Sequence, residues 1–545
     1  MSRVRPIHDV AADLGIRNEH LIPYGDDKAK VRLAAREASG REPGKLILVT
    51  AVTPTDAGEG KTTTSIGLAQ GLAKIGKQVS VALREPSFGP IFGKKGGATG
   101  GGRATVHPQV DINMHFTGDF HAISAANNLL AAVLDNPIYH GNALGIDPRR
   151  VLWRRVLDLN DRALRQTVIG LGGPTQGMPR ETGFDITPAS EIMAVLCLAE
   201  DADDLRSRLE RILVALTFDK KPVVAGDLDV VGALTVTLKD ALQPNLVQTV
   251  EGVPAFIHGG PFANIAHGCN SVAATKMAMA HSDWTVTEAG FGCDLGMEKF
   301  FHVKCRGAGL DPSAVVVVAT IKALKRHGGV KKRELGTPNP EAVEKGIENL
   351  EKHLENVAQF HKSPVVALNR FAGDSDEEVA VVREACERLG TAFAVADGFA
   401  DGGDGMTALA EQVVARAEEE SRPLHFLYDL EDSIATKMEK VATQVYGARR
   451  VSWTPQAISE RKQVERLGYG QLPLCVAKTP MSLSDNPRKV GRPRDFDITV
   501  RGVVLSAGAG FVVPLLGDVM RMPGLPAKPQ AAKMDLVDGE VVGLS

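Results

Sequence analysis

A glycine-rich loop between an apolar run and a helix-like segment is the part of the chain best suited to chemistry. Residues 46–52 are mostly apolar, residues 63–74 suit a helix, and between them lies the window Thr55-Asp56-Ala57-Gly58-Glu59-Gly60-Lys61-Thr62, here called the phosphate loop. Its backbone N–H groups and the helix N-terminus can bind phosphate oxygens, Lys61 can reach the terminal phosphates, and the Thr62 hydroxyl can hold Mg²⁺. The general motif has glycine where this chain has Thr55, but the strand and helix context is right. The loop predicts binding of a nucleoside triphosphate.

Length, charge and cysteine usage exclude several classes of protein. The chain has 545 residues, 43% of them hydrophobic, and a net charge of −3, so no basic field would attract nucleic acid. No apolar run approaches a membrane span, and the N-terminus lacks the apolar core of a signal peptide. The six cysteines form no C-x-x-C pair and are typical of reduced thiols. We expect a cytoplasmic protein with no nucleic-acid or membrane partner.

Strand-like and helix-like runs alternate along most of the chain, which predicts an α/β fold with a mostly parallel sheet. Predicted strands are residues 79–83, 221–225, 255–258, 314–320, 364–368 and 392–396; predicted helices are residues 122–134, 189–199, 377–389 and 406–419. A polar, breaker-rich stretch at residues 328–340 indicates a boundary. We therefore predict a phosphate-loop NTPase-like domain at 1–335, a smaller α/β domain at 336–455, and a C-terminal α+β domain at 456–545. In the last, residues 497–505 and 510–514 are predicted to pair as antiparallel strands.

Four stretches of the chain resemble one known family over essentially the whole length. They are residues 53–64, which contain the phosphate loop and its opening threonine; Leu83-Arg84-Glu85-Pro86-Ser87-Phe88-Gly89-Pro90 with the glycines of 96–102; His258-Gly259-Gly260-Pro261-Phe262-Ala263-Asn264 through Ser271; and Val318-Ala319-Thr320-Ile321-Lys322 through Gly329. In these stretches the chain resembles formate–tetrahydrofolate ligase, also called 10-formyltetrahydrofolate synthetase.

The resemblance implies a reaction, its cofactors and an assembly. Formate would attack the γ-phosphate of MgATP to give formyl phosphate, and tetrahydrofolate would then accept the formyl group and release phosphate. A monovalent cation, K⁺ or NH₄⁺, would activate the enzyme, which would be a homotetramer. Because negative charge accumulates in the first step, positioned cations and backbone donors would be the main catalytic devices.

Charged residues near the predicted strand ends are the candidates for catalysis and metal binding. A strand-end arginine such as Arg84 is as often structural as functional, but its guanidinium can grip a carboxylate with two bonds; the resemblance makes it the formyl-phosphate arginine. Glu85 would otherwise be an ordinary surface or cap carboxylate, and by resemblance it lies near the activating cation. Spacing alone makes Asp119 a helix cap, whereas the resemblance gives it a metal or transition-state role. The histidines His121, His258 and His267 lack zinc-site spacing, so we expect no transition metal.

Three phenylalanines are candidates for stacking on a pterin. Phe291 stands between glycines, and Phe371 and Phe399 each follow a predicted strand. A lone phenylalanine usually packs in a core, but these placements favour exposed faces that can stack on a flat ring. By resemblance, Phe371 and Phe399 sandwich the pterin.

The chain departs from the family mainly on the folate side. The family usually has proline at Ala372, tryptophan at Phe399, arginine at Lys322, tyrosine at Arg103, and Gln-Tyr at Pro480-Met481. The phosphate-side residues are unchanged, so we expect altered folate affinity or polyglutamate preference with nucleotide chemistry intact.

Two other functions remain open from the residues. One is an ATP-dependent ligase for another small carboxylic acid or amine acceptor. The other is a nucleotide-gated maturation or scaffold ATPase; many of these carry an extra lysine early in the loop, and Thr55-Asp56-Ala57 has none.

Overall fold

A large mixed sheet organises the molecule and confirms the predicted α/β class. The computed structural model describes residues 4–55, 58–419 and 422–544. Within these ranges, seven adjacent strands of a twelve-stranded sheet run parallel. In chain order they are β1 (Lys45–Ala51), β2 (Val79–Leu83), β3 (Pro254–Ile257), β4 (Trp284–Glu288), β5 (Ala314–Ala319), β6 (Pro364–Asn369) and β7 (Ala392–Ala396). Their spatial order is β3-β2-β4-β1-β5-β6-β7.

Antiparallel strands extend the β3 side of this sheet. Asn245–Thr249 pairs with β3 and with Ala29–Val31, which in turn pairs with Leu21–Pro23. Ala104–His107 also pairs with Asn245–Thr249 and forms a short hairpin with Gly100–Gly101.

Small sheets lie outside the large one. They are Thr167–Ile169 with Arg180–Thr182; Arg155–Leu157 with Phe184–Ile186; Ile146–Val151 with Leu213–Thr217 and Pro222–Val224; Arg450–Trp453 with Asp497–Val500; Gly502–Ser506 with Phe511–Leu515; and Asp535–Val537 with Glu540–Val542.

Helices cover both faces of the sheet. The longer α-helices are Ile7–Asp13, Lys61–Lys74, Asp119–Tyr139, Glu191–Leu198, Ala202–Glu210, Val231–Leu238, Val272–His281, Ile321–His327, Pro340–Gln359, Asp376–Arg388, Thr407–Glu418, Ile434–Lys440 and Pro455–Arg466. Shorter ones are Ala34–Ala38, Phe88–Pro90, Gln109–Asn113, Arg306–Ala308 and Gly398–Asp401. In the described part of the chain, no helix is both long enough and apolar enough to cross a membrane.

Alternate residues of the central strands enter two separate cores. In β1, Leu46 and Leu48 pack on one face, and Ile47 and Val49 pack on the other. The helix Lys61–Lys74 covers the second face through side chains such as Leu68, whereas Pro340–Gln359 covers the first. β2 is buried throughout, as expected for a strand covered on both faces, whereas the edge strand β7 is only partly buried. Both strands have the predicted bounds.

The C-terminal strands correct one prediction. The expected single strand 497–505 divides at Arg501: Asp497–Val500 pairs in parallel with Arg450–Trp453, and only Gly502–Ser506 pairs with Phe511–Leu515. The division lets the chain change partners, and the Arg501 N–H bonds to the Leu515 carbonyl at 2.7 Å.

The predicted domain boundaries at residues 335 and 455 stay predictions. Strands β6 and β7 follow the first boundary in sequence, yet they extend the sheet that contains β1 and β2. The carboxyl ends of all seven parallel strands therefore lie at one edge, where α/β proteins bind their ligands.

Candidate functional site

The phosphate loop follows β1 and leads directly into the helix Lys61–Lys74. Gly60 precedes the helix with φ +73°, a conformation that side chains disfavour. A Cβ there would also collide with the Asn369 side chain, whose Nδ2 donates to the Glu59 carbonyl at 3.0 Å. The first N–H groups of a helix have no intrahelical acceptor, so this arrangement offers donors and a positive dipole end to an anion.

The Glu59 side chain forms hydrogen bonds with Thr55, the first residue of the phosphate loop. Its Oε1 accepts from the Thr55 backbone N–H at 2.6 Å and from the Thr55 hydroxyl at 3.1 Å. Burial raises the pKa of Glu59, and the positive charge of Lys61 lowers it in opposition. Asp56 and Ala57 lie outside the described residues, so their predicted roles stay predictions.

Lys61 and Thr62 begin the helix beside a carboxylate that the sequence analysis did not select. Thr62 Oγ1 donates to Glu288 Oε2 at 2.9 Å, and Glu288 is the last residue of β4. Burial lowers the pKa of Lys61, while the charges of Glu59 and Glu288 raise it. A carboxylate at the end of a strand next to a phosphate loop was the signal available in the sequence, since this is where nucleotide-binding proteins hold Mg²⁺.

Arg84 follows β2, and among the described residues its guanidinium makes one hydrogen bond. Its Nη1 donates to the Pro261 carbonyl at 3.3 Å, whereas its buried Nε has no hydrogen-bond partner in the described ranges. Gly290 lies beside Arg84: a Cβ at that position would collide with the Ala263 Cβ at 2.7 Å and would come into ordinary contact with Arg84 Nη1 at 3.4 Å. The remaining donors of the guanidinium suit a two-oxygen anion.

Asp119 and Glu85 form a buried acidic pair with one lysine. Asp119 Oδ1 lies 2.7 Å from Lys30 Nζ, and Oδ2 accepts from Asn245 Nδ2 at 2.8 Å. Asp119 opens the helix Asp119–Tyr139, but Gly118 occupies the cap position and the Asp119 carboxylate faces Lys30. Burial, then the charge of Asp119, raise the pKa of Glu85 well above its ordinary value, and Lys30 opposes this. Sequence reasoning missed Lys30, which lies 89 positions from Asp119 in the numbering.

The predicted pterin aromatics lie at the same sheet edge, after β6 and β7. Lys322 Nζ lies 4.7 Å from the centre of the Phe371 ring, a cation–π contact. Phe399 is 59% exposed, so it is not a core residue. Its carbonyl accepts from the Arg103 N–H at 2.9 Å, so two of the positions that depart from the family, Lys322 and Arg103, contact these phenylalanines. Phe291 has φ +62°, a strained conformation for an aromatic residue.

The histidines have separate surroundings. His258 Nε2 donates to the Ala241 carbonyl and its Nδ1 accepts from Ser271 Oγ, both at 2.6 Å, and burial lowers its pKa to about 4. His267 is buried, and neither ring nitrogen has a partner within the described ranges. Among the described residues, no group of three or more His, Cys, Asp or Glu side chains is placed to hold a metal; the absence of a transition metal stays a prediction.

Two cavities are lined partly by residues of the C-terminal region. A cleft of about 940 Å³ lies between the segment around Trp153 and the C-terminal strands, and none of the predicted site residues lines it. A smaller pocket of about 260 Å³ opens beside Pro54 and Thr55, with Arg326, Lys331 and Met481 in its wall. Thr55 is the one predicted site residue in the wall of the smaller pocket, so among the described residues neither of these two cavities brings Lys61, Arg84 and Phe399 together.

The fold and site together define an α/β enzyme whose charged groups gather at the carboxyl edge of a parallel sheet. The chain belongs to the formate–tetrahydrofolate ligase family, whose model matches residues 1–545. It is a carbon–nitrogen ligase of one-carbon metabolism that uses ATP to join formate to tetrahydrofolate. Family membership decides against the two alternative functions left open by the residues.

Proposed function

We propose that formate is activated as formyl phosphate at the phosphate loop, and that Lys61 and Arg84 stabilise this step. The observation that carries the proposal is the order of the strands: β1 and β2 both pair with β4 in parallel, so the phosphate loop that follows β1 and Arg84 that follows β2 lie at the same edge of the sheet, on either side of the end of β4. Two cations at one edge repel each other unless an anion binds between them. A phosphate and a carboxylate are such anions.

The proposed reaction has two displacements. A formate oxygen attacks the γ-phosphorus, the bond to the β,γ-bridging oxygen breaks, and ADP leaves. The N10 amine of tetrahydrofolate then attacks the formyl carbon, phosphate leaves, and the amine loses its proton. Lys61 and the helix N-terminus offset charge on the phosphates, while Arg84 holds the carboxylate oxygens.

Thr62 and Glu288 fit a Mg²⁺ ion. Their oxygens lie 2.9 Å apart beside the phosphate loop, and hard oxygen ligands are those that Mg²⁺ prefers. Bound there, Mg²⁺ would offset the negative charge of the nucleotide. This set retains Thr62 from the sequence prediction and adds Glu288.

Glu85 fits a monovalent cation. Its Oε2 is buried with no hydrogen-bond partner among the described residues, and the neighbouring Asp119 adds negative charge. K⁺ or NH₄⁺ beside Glu85 would keep its carboxylate ionised. Asp119 contributes through charge, because Lys30 and Asn245 already bind both of its oxygens.

Phe371 and Phe399 are proposed to stack on the pterin, with Phe291 nearby at the end of β4. The high exposure of Phe399 supports this role, since an exposed ring has area left to bury against a flat ligand.

We also propose a cytoplasmic homotetramer. The six cysteines are unpaired and buried, which suits a reducing compartment. The segment from residue 152 to 178 exposes several large apolar side chains that an interface would cover; they are Leu152, Leu157, Leu159, Val168, Leu171 and Met178.

Formate labelled with ¹⁸O tests the intermediate. If formyl phosphate forms, one labelled formate oxygen must appear in the released phosphate for each turnover. Label in AMP, or unlabelled phosphate from labelled formate, would contradict the proposal.

A further inference from the structure

Thr53, just before the phosphate loop, is bonded through all of its polar groups. Its N–H donates to Asn349 Oδ1 at 3.3 Å, its carbonyl accepts from His327 Nε2 at 2.8 Å, and its Oγ1 lies 2.9 Å from His353 Nε2. Thr53, Asn349 and His353 are fully buried. The partners belong to the helices Ile321–His327 and Pro340–Gln359, so two separate elements fix the point at which the chain leaves β1.

The contacts continue into the C-terminal region through Gly491. Asn349 Nδ2 donates to Thr53 Oγ1 at 3.0 Å and to the Gly491 carbonyl at 2.8 Å, while the Gly491 N–H donates to His327 Nδ1 at 3.1 Å. His327 therefore bonds to a carbonyl at one nitrogen and to an N–H at the other. Only the neutral tautomer with hydrogen on Nε2 satisfies both. Burial lowers the pKa of His327 to about 4, in agreement with that state.

We propose that Asn349 and His327 are positioning residues for the nucleotide, acting through Thr53 on the phosphate loop. These hydrogen bonds hold Thr53 from two helices, although the buried His353 Nδ1 has no partner among the described residues. A loop that is already in place loses less freedom when it binds phosphate. Asn369 fixes the far end of the loop through the Glu59 carbonyl, so the loop is held on both sides. This inference rests on the proposed nucleotide site.

The same helix supplies a matched control. Asn356 lies seven residues after Asn349, is equally buried, and bonds to the Val445 carbonyl at 3.0 Å and to Lys352 Nζ at 2.7 Å. Seven residues are close to two helical turns, so both asparagines lie on one face. Asn356 has the same chemistry and burial, but within the described residues it makes no hydrogen bond to Thr53 or to the phosphate loop.

The test compares Asn349→Ala with Asn356→Ala in the full-length enzyme. Asn349→Ala removes two hydrogen bonds to Thr53 and one to the Gly491 carbonyl. We expect the KM for ATP to rise about tenfold while the KM for tetrahydrofolate stays within about twofold. Asn356→Ala should lower the Tm to a similar extent and leave the KM for ATP within about twofold. An unchanged KM for ATP in Asn349→Ala, or an equal rise in Asn356→Ala, would overturn the proposal.

A second pair of variants serves if Asn349→Ala does not fold. His327→Gln keeps an N–H that can donate to the Thr53 carbonyl, whereas His327→Leu does not, so only the leucine variant should raise the KM for ATP. Equal values for the two would contradict the proposal. Lys61→Ala is measured in parallel: if it retains ATP affinity, the nucleotide site itself is wrong, whereas loss of affinity in Lys61→Ala with no effect at Asn349 rejects only the positioning role.

Discussion

Arg84, the proposed carboxylate ligand, is only partly hydrogen-bonded within the described residues. One nitrogen donates to the Pro261 carbonyl, and the buried Nε has no partner in the described ranges. A buried donor left without an acceptor costs stability, and the anion that we propose Arg84 binds would supply that acceptor.

Replacement of Arg84 should separate nucleotide binding from formate activation. We expect Arg84→Ala to bind ATP but to lose formate-dependent ADP formation by about 100-fold or more. Arg84→Lys should rescue poorly, because an ammonium group cannot make two parallel bonds. Steady-state kinetics with varied formate measure this, and wild-type formate kinetics in Arg84→Lys would contradict the paired contact.

Phe399 should affect folate affinity with little effect on folding. Loss of one stacking face should weaken tetrahydrofolate binding by about 1–3 kcal/mol and leave the KM values for ATP and formate nearly unchanged. Phe399→Trp should strengthen binding, since it enlarges the stacking face. Phe218 is also 59% exposed, so Phe218→Ala is a matched control expected to leave folate affinity unchanged. If Phe399→Ala instead lowers the Tm with folate affinity intact, the ring is structural.

The candidate residues predicted from sequence are those that local patterns mark. Lys61 and Thr62 lie where the loop meets its helix, and Arg84 directly follows a buried strand. Glu288 had a local signal, its place at a strand end, but its contact with Thr62, 226 positions away, depends on the fold. Asn349 lies on a helix 296 positions from Thr53, so its contact likewise depends on the fold.

At the scale of elements, Glu191 joins the helix Glu191–Leu198 to a turn of the C-terminal region. Its Oε1 accepts from the Gly508 N–H at 2.7 Å and the Ala509 N–H at 3.2 Å. Burial raises the pKa of Glu191 to about 7 from its ordinary value of 4.5, despite these bonds. The folded state therefore binds this proton more tightly than the unfolded state, so the contribution of Glu191 to stability falls as the pH rises from about 4.5 to 7.

Glu191→Gln should therefore stabilise the protein more at pH 8 than at pH 5. The glutamine carbonyl can accept both N–H groups without a buried charge, and the difference between the two pH values should be on the order of 2 kcal/mol. Denaturant unfolding at the two pH values measures this. Glu341→Gln is the control, because Glu341 is exposed and its ion pair with Lys345 lowers its pKa. An equal effect of Glu191→Gln at both pH values would contradict the assignment.

Elements were predicted well where an apolar run lies between turn residues and poorly where strand partners change. The strands β2 and β7 were correct to the residue because continuous apolar runs between turn residues have one reading. The break at Arg501 has no such signal, since it depends on which neighbour each half of the segment pairs with.

At the scale of the whole molecule, exposed apolar side chains locate the proposed subunit contact. Leu171 is 67% exposed within the segment from residue 152 to 178. Leu171→Glu should place a charge in that interface and convert tetramers to smaller species, measured by light scattering after size-exclusion chromatography. Val236 is 66% exposed outside this segment, so Val236→Glu should leave the tetramer intact. A tetramer unaffected by Leu171→Glu would exclude this segment from the interface.

The central claim is that the phosphate loop is the catalytic nucleotide site, and Lys61→Ala tests it most directly. We predict that this variant loses ATP binding, measured by calorimetry, and at least about 100-fold in turnover, because no neighbouring side chain replaces a preorganised charge at the phosphates. Lys74→Ala, at the other end of the same helix and paired with Asp404, should bind ATP and turn over normally. Near-normal ATP affinity and turnover in Lys61→Ala would contradict the account.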